Sequence, residues 1–309
     1  MKPLLRLALA ADLVALMTVV LGSWTRINGA GLTCPDWPLC HGRLVPSLTD
    51  GTLWEWTHRL LASIVAPLLI ALIAVAWSKR RRSPFIGPTL AVIAVLFVVQ
   101  IFLGAETVRL ANAPTSVVLH WATAMALIAA LSAMAVFAAA CDATPQAREA
   151  TRASALQGLV LGLTATLAFV TMCIGAYVSS SGSGLACLSI PGCAGSVVIY
   201  TPEQYVQMLH RIAAAATLIC AAAAVALTWA YWASTRLRTV VAIGVALVSI
   251  QVLLGLLNVA LRLPTDLREA HAVNAALVFL AFFVGTIFAV LDAVPRADLS
   301  HSTGNRSQL

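Results

Sequence analysis

The chain has 309 residues, of which 61% are hydrophobic and only 10% are charged. This composition excludes an ordinary soluble domain and is typical of a protein that crosses a membrane several times. The net charge of +7 does not indicate nucleic-acid binding, because basic residues in short connections orient helices and contact anionic lipid.

Eight apolar segments follow one another along the chain, each near the roughly 20 residues that a helix needs to cross a bilayer. Gly and Pro lie mainly between them, as expected for breaks between helices. The sequence therefore predicts an all-α polytopic membrane protein with eight transmembrane helices. The predicted spans are 5–25, 54–77, 86–108, 116–140, 154–178, 205–232, 238–261 and 269–291.

The distribution of Lys and Arg predicts the orientation of these helices. With the N-terminus in the cytoplasm, twelve of the 19 Lys and Arg residues fall on the cytoplasmic side, including the run at 79–82, and seven on the outer side. This bias predicts that both termini are cytoplasmic. No Arg- and Ser-rich amphipathic transit segment precedes the first span, so we expect a bacterial inner membrane.

The second half of the sequence repeats the first at a shift of about 151 to 153 positions. Four helices per half make the repeat parallel, so we expect two similar four-helix bundles. We assign an N-terminal half to 1–140, a cytoplasmic linker to 141–153, a C-terminal half to 154–294 and a disordered polar tail to 295–309. The repeated pairs are His58/His210, His120/His271, Cys34/Cys187, Cys40/Cys193, Gln100/Gln251 and Gly104/Gly255.

The four repeated histidines lie at similar depth near the outer ends of four spans. A single such histidine is usually a hydrogen-bonded core or interfacial residue, but four at equivalent places favour ligation. Two neutral imidazoles on facing helices suit the axial positions of haem iron. Zinc is the rival, although it usually recruits three or four ligands. Copper held by the cysteines would leave the repeated histidines unexplained.

One acidic residue distinguishes the two halves. Glu55 lies about one helical turn before His58, whereas the equivalent position in the second half is Gln207. A carboxylate beside one haem site could accept protons or stabilise a cationic intermediate. The alternative is an interfacial Glu that pairs with Arg59 or Arg26.

Each half also contains a His-Arg pair, and the two arginines, Arg59 and Arg211, could hold haem propionates. Contact with lipid phosphate is the alternative for both.

The first and third outer loops each contain two cysteines with five residues between them, Cys34 and Cys40, and Cys187 and Cys193. This spacing is not that of a zinc knuckle or a CxxC redox motif. In an oxidising compartment the pairs could close as disulfides that shape lids over the haem sites. A redox role in electron transfer is the alternative.

These motifs resemble the haem A synthase family over essentially all of the membrane region. The resemblance rests on Gly-Leu-Thr-Cys-Pro-Asp-Trp-Pro-Leu-Cys-His-Gly at 31–42, on Glu-Trp-Thr-His-Arg at 55–59 and on the three later histidines. It implies oxidation of a methyl group of haem O to the formyl group of haem A by successive hydroxylations. By resemblance, His58 and His120 hold haem O, His210 and His271 bind haem b, and Glu55 is catalytic.

The resemblance also implies two partners, a haem O synthase and cytochrome oxidase assembly. From the composition we expect contact with membrane lipid, and self-association is a further option. Two departures stand out. Arg26 has Ser179 as its counterpart, and Glu106 occupies a place where an uncharged residue is expected. We expect Glu106 to pair with Arg109, three residues later.

Two other functions remain open from the sequence. A dihaem b-type electron-transfer protein would explain the histidines but would leave the Glu55/Gln207 difference accidental. A transporter would use the parallel repeat, but the coupling acids or broken helices near mid-membrane that it requires are not evident.

Overall fold

The computed structural model describes residues 1–142, 152–189, 192–193, 195, 199–231 and 233–293. In this part of the chain the backbone forms eight long α-helices, and each begins and ends within a few residues of a predicted span. They are α1 (Lys2–Ile27), α2 (Thr52–Lys79), α3 (Ile86–Arg109), α4 (Pro114–Ala140), α5 (Arg152–Ser180), α6 (Pro202–Ala230), α7 (Thr235–Ala260) and α8 (Thr265–Ala293).

All eight helices are long and apolar enough to cross a membrane, so the prediction of a multi-pass membrane protein is confirmed. Large apolar side chains cover their outward faces, for example Leu13 at 59% exposure, Val98 at 67% and Ile219 at 69%. In water such a surface would be an aggregation liability, whereas lipid tails solvate it.

The helices have corresponding neighbours in the two parts of the chain. Helix α1 packs against α2 and α4, and α3 packs against α4; likewise α5 packs against α6 and α8, and α7 against α8. The most enclosed helices, α4 and α8, contact each other, and α4–α5 and α1–α8 contacts complete the junction. This pattern supports the predicted repeat, although the division into two halves stays a prediction. Residues 143–151 of the linker and the whole tail lie outside the described residues.

The turns before α4 and α8 are alike and fix where those helices begin. Ala111 and Asn112 have φ of 48° and 56°, and Arg262 and Leu263, 151 positions later, have φ of 59° and 61°. Non-glycine residues adopt this left-handed region only where surrounding contacts hold them there. The Asn112 Nδ2 atom supplies one such contact by donating to the Gly31 carbonyl at 2.9 Å. The outer loop and the start of α4 are thereby joined.

The contact between α7 and α8 depends on a glycine. A Cβ atom at Gly244 would lie 3.1 Å from Cζ of Phe282, a side chain that is only 1% exposed. We predict that Gly244→Ala lowers stability by about 1–3 kcal/mol, because the enclosed ring has little room to move. Thermal unfolding in detergent would measure the change.

Gly158→Ala is the matched control, since its Cβ would lie 3.7 Å from the Ala289 methyl, an ordinary contact. It should leave the midpoint of unfolding unchanged or slightly raised. Equal midpoints for the two variants would contradict the proposed packing constraint.

Candidate functional site

A cavity of about 400 Å³ lies among α1–α4, and its walls bring the predicted first-half residues together. His58 and His120 face it from α2 and α4, and Glu55 and Arg59 lie on the same wall. Trp37 and Pro38 of the first loop also line it. Most of the remaining wall is apolar, which suits a large flat apolar ligand with a few polar groups.

The His58 ring is oriented by α1. Its Nδ1 atom lies 2.9 Å from the Thr18 carbonyl oxygen, which can only accept a hydrogen bond. Nδ1 therefore carries the proton, and the lone pair of Nε2 is left for a metal. Gly22, one turn beyond Thr18, makes room for the ring, because a Cβ there would lie 2.6 Å from His58 Cε1.

His120 has a similar arrangement with α3. The side-chain amide nitrogen of Gln100 lies 3.2 Å from His120 Nδ1. A Cβ at Gly104, one turn later on α3, would lie 3.3 Å from His120 Cε1. The repeated Gln-x-x-x-Gly run is therefore the surface on which this histidine rests.

The second half contains a similar set of contacts, but there the glutamine nitrogen lies nearest Nε2 of the histidine rather than Nδ1. His210 Nδ1 lies 3.1 Å from the Thr171 carbonyl, and a Cβ at Gly175 would lie 2.9 Å from His210 Cε1. For His271, the Gln251 amide nitrogen is 3.2 Å from Nε2 and a Cβ at Gly255 would be 3.4 Å from Cε1. Asn274 fixes the Gln251 side chain by donating to its oxygen at 2.7 Å.

The second pair of histidines has a separation that suits a shared iron. The ring centroids of His210 and His271 are 6.4 Å apart and their planes cross at 71°. Imidazoles on opposite faces of one iron, with each nitrogen about 2 Å from the metal, have centroids roughly 6 Å apart. One buried nitrogen of His271, Nδ1, also has no hydrogen-bond partner among the described residues. These residues fit a bis-histidine haem.

Zinc fits less well. In the described part of the chain, no group of three or more His, Cys, Asp or Glu side chains is placed to hold a metal ion. Two imidazoles per half match the donor set of a haem better than that of a tetrahedral site.

Glu55 and Gln207 occupy equivalent structural positions, and both are 4% exposed. Glu55 Oε2 accepts from the Cys34 backbone N–H at 3.0 Å, and Gln207 Oε1 accepts from the Cys187 backbone N–H. Glu55 also accepts from the Thr33 hydroxyl at 3.1 Å and pairs with Arg59 at 2.6 Å. The pairing with Arg59, which the sequence analysis gave as the alternative, is therefore present, and the carboxylate also lies on the cavity wall.

Arg59 and Arg211 hold the outer loops. Arg59 donates to the carbonyls of Cys34, Asp36 and Leu39. Arg211 donates to the carbonyls of Cys187, Ser189 and Gly192. The structure thus gives both arginines a loop-positioning contact that the sequence did not indicate, and their predicted contact with propionates stays a prediction.

Both loops are closed by disulfides, Cys34–Cys40 and Cys187–Cys193. In the first loop, Asp36 also accepts from the backbone N–H groups of Gly42 at 2.8 Å and His41 at 2.6 Å. The bond from Gly42, followed by the weaker contribution of His41, lowers the pKa of Asp36 below its ordinary value. Its contribution to loop stability is therefore present at neutral pH and is lost only in acid. Whether the cysteines also act in redox chemistry stays a prediction.

Several site residues have no assignment from the sequence. Thr18 and Gly22 recur as Thr171 and Gly175, 153 positions later, and this recurrence is the signal that could have revealed them. Glu269 on α8 is another residue that the sequence analysis did not assign, and it is buried at 8% exposure. The sequence feature that could have indicated it is an acidic residue within an apolar span. Glu106 pairs with Arg109 at 3.0 Å, as expected.

Comparison with known proteins agrees with this geometry. A heme A synthase from Bacillus pumilus (strain SAFR-032) is 30% identical over 303 residues, which cover 94% of each chain. A heme A synthase from Bacillus licheniformis is 29% identical over 94% of each chain, and one from Shewanella oneidensis is 27% identical over 86% of this chain and 90% of the relative. The model of the COX15-CtaA family, described as cytochrome oxidase assembly protein, matches residues 6–52 and 48–283. The chain therefore belongs to the COX15-CtaA family.

Proposed function

We propose that this protein is a haem A synthase, which oxidises a methyl group of haem O to the formyl group of haem A by successive hydroxylations. The family match and the names of the relatives support this reaction. The observation that carries the proposal is the carboxylate of Glu55 in the wall of the cavity that His58 and His120 line. The equivalent position in the second half is the uncharged Gln207.

The counterpart of Glu55 supports a chemical role for its carboxylate. Gln207 receives the backbone N–H of Cys187 as Glu55 receives that of Cys34. An uncharged amide is therefore sufficient to hold the loop. A buried carboxylate costs free energy of desolvation, so its charge at the cavity wall is better explained by chemistry than by folding.

The reaction defines what that charge does. Conversion of a methyl to a hydroxymethyl group with a water-derived oxygen releases two electrons, which an external oxidant takes up, and two protons, which pass to Glu55 and to solvent. Positive charge on the substrate would be stabilised by the fixed carboxylate, and Glu55 Oε1 or Oε2 would receive a proton. Arg59 and the Cys34 N–H hold the carboxylate in place, so little reorganisation is needed.

The two halves would divide the work. We assign haem O to His58 and His120, and a resident haem b to His210 and His271, whose ring separation suits a shared iron. When bound there, haem b supplies one-electron transfer. The hydrogen bond of His210 Nδ1 to the Thr171 carbonyl sets the tautomer in which Nε2 is free to bind iron.

We also propose a bacterial inner membrane with both termini in the cytoplasm. The two cystine-containing loops connect α1 to α2 and α5 to α6, so they lie on the same side of the membrane, where an oxidising compartment would maintain them. The basic turn Arg80–Arg82 lies at the opposite end of α2. Haem O synthase and cytochrome oxidase are the expected source and destination of the haem, and self-association stays a prediction.

The first prediction from this proposed function concerns Glu55→Gln. Because Gln207 already performs the structural task, the variant should fold and keep its haem, but it should form haem A at least about 100-fold more slowly. Chromatography of extracted haems from cells that make haem O would measure the loss. Glu106→Gln is the matched control, since Glu106 pairs with the exposed Arg109 and does not line the cavity. Full haem A formation by Glu55→Gln would refute the role of the carboxylate.

The second prediction separates the two haem sites. Gly22→Ala would place a methyl 2.6 Å from His58 Cε1, and Gly175→Ala would place one 2.9 Å from His210 Cε1. We expect the first to reduce bound haem O and the second to reduce bound haem b, because each ring must leave its position. A pyridine haemochrome spectrum with haem chromatography would measure the amounts of bound haem O and bound haem b. A loss of the same haem in both variants would argue against the assignment.

The third prediction concerns orientation. A reporter that folds only in the cytoplasm should be active when inserted at 80–82 and inactive in the first loop. An alkaline phosphatase reporter should give the reverse result. The opposite pattern, with the cytoplasmic reporter active in the first loop and alkaline phosphatase active at 80–82, would invert the proposed topology.

A further inference from the structure

Two cations, Arg26 and Arg59, line the first-half cavity. Arg59 already donates to three loop carbonyls and to Glu55. Among the described residues, the side-chain hydrogen bond that Arg26 makes goes from Nη2 to the neutral hydroxyl of Ser179 at 3.1 Å. A guanidinium on an apolar wall with a neutral partner favours an anionic ligand.

The position of Arg26 follows from helix geometry. It lies four residues after Gly22, hence on the same face of α1 and about 6 Å nearer the outer loop. Gly22 is the residue against which the His58 ring rests. Arg26 therefore lies about one turn outward from the histidine, where the edge of a porphyrin bound to His58 would extend. Ser179 has the same relation to Gly175 in the second half.

A buried acid from the second half accompanies Arg26. Glu269 on α8 is 8% exposed, and neither of its oxygens has a hydrogen-bond partner among the described residues. Glu269 is close enough to Arg26 for the two side chains to act on each other electrostatically, and Arg268 also acts on Arg26. Arg268 adds positive charge to these surroundings, which favours an anion beside Arg26.

We propose that Arg26 binds a propionate carboxylate of the porphyrin in the first-half cavity, with the buried Glu269 of α8 as a nearby negative charge. This rests on the proposed function. The propionates are the anionic groups of a haem, and the guanidinium fork matches a carboxylate. The wall also carries the negatively charged Glu55, which would repel a propionate. Arg26 thus fixes which edge of the macrocycle faces outward.

The test compares haem O with its dimethyl ester, in which both carboxylates are neutral. Full-length protein from cells that make haem b but no haem O is titrated in detergent with each ferric compound, and the Soret change gives the affinity. The unaltered protein should prefer haem O over the diester by about tenfold or more. Arg26→Gln should abolish most of that preference by weakening haem O binding while leaving the diester affinity unchanged. Arg26→Lys should restore part of it.

Arg109→Gln is the matched control, because this side chain is 73% exposed and pairs with Glu106 away from the cavity. It should retain the full preference. An unchanged preference in Arg26→Gln, or an equal loss of affinity for both compounds, would overturn the proposal. The haem b content of each variant shows that the second half remains folded.

Failure of the proposed function would look different. In that case the unaltered protein would show no haem O binding that His58→Ala removes, and both proposals would fall. Binding that depends on His58 but not on Arg26 would overturn only the role of Arg26.

Discussion

An imidazole inside an apolar helix bundle needs both a hydrogen-bond partner and a space, and in this protein the neighbouring helix supplies them together. For His58 these are the Thr18 carbonyl and the missing side chain of Gly22. The same pair of contacts recurs for His210 with Thr171 and Gly175. The Thr18 hydroxyl donates to the Val14 carbonyl, four residues earlier, at 2.7 Å. The Thr18 carbonyl in turn accepts from His58, and the same residue thereby orients the ring.

This constraint explains why the loops and the helices form one site. Glu55 and Arg59 lie on the same helix as His58 and hold the first loop through backbone N–H and carbonyl groups. Any movement of the loop therefore acts on the helix that carries a candidate iron ligand. The disulfide between Cys34 and Cys40 limits that movement by closing the loop on itself.

Charged residues at two pairs of equivalent positions make the halves of the protein different. Similar packing surrounds both histidine pairs, yet the first half has the acid Glu55 and the cation Arg26 where the second has Gln207 and Ser179. Arg26 reaches across to Ser179, and Glu269 approaches from α8. This charge difference is what the proposed division into a chemical and an electron-transferring half depends on.

The sequence by itself determined the eight helices, because about 20 consecutive apolar residues have few alternatives in a membrane. It also determined the candidate histidines and the paired cysteines, since both recur at the repeat distance, and the Glu55/Gln207 difference, since it interrupts the repeat. Only the tertiary structure decided that Arg59 and Arg211 hold the loops, that Gly22 and Gly175 make room for imidazoles, and that Arg26 donates to Ser179 of the other half. Helical periodicity reports which face of a helix is polar or small, but the partner of that face depends on how helices distant in sequence are packed.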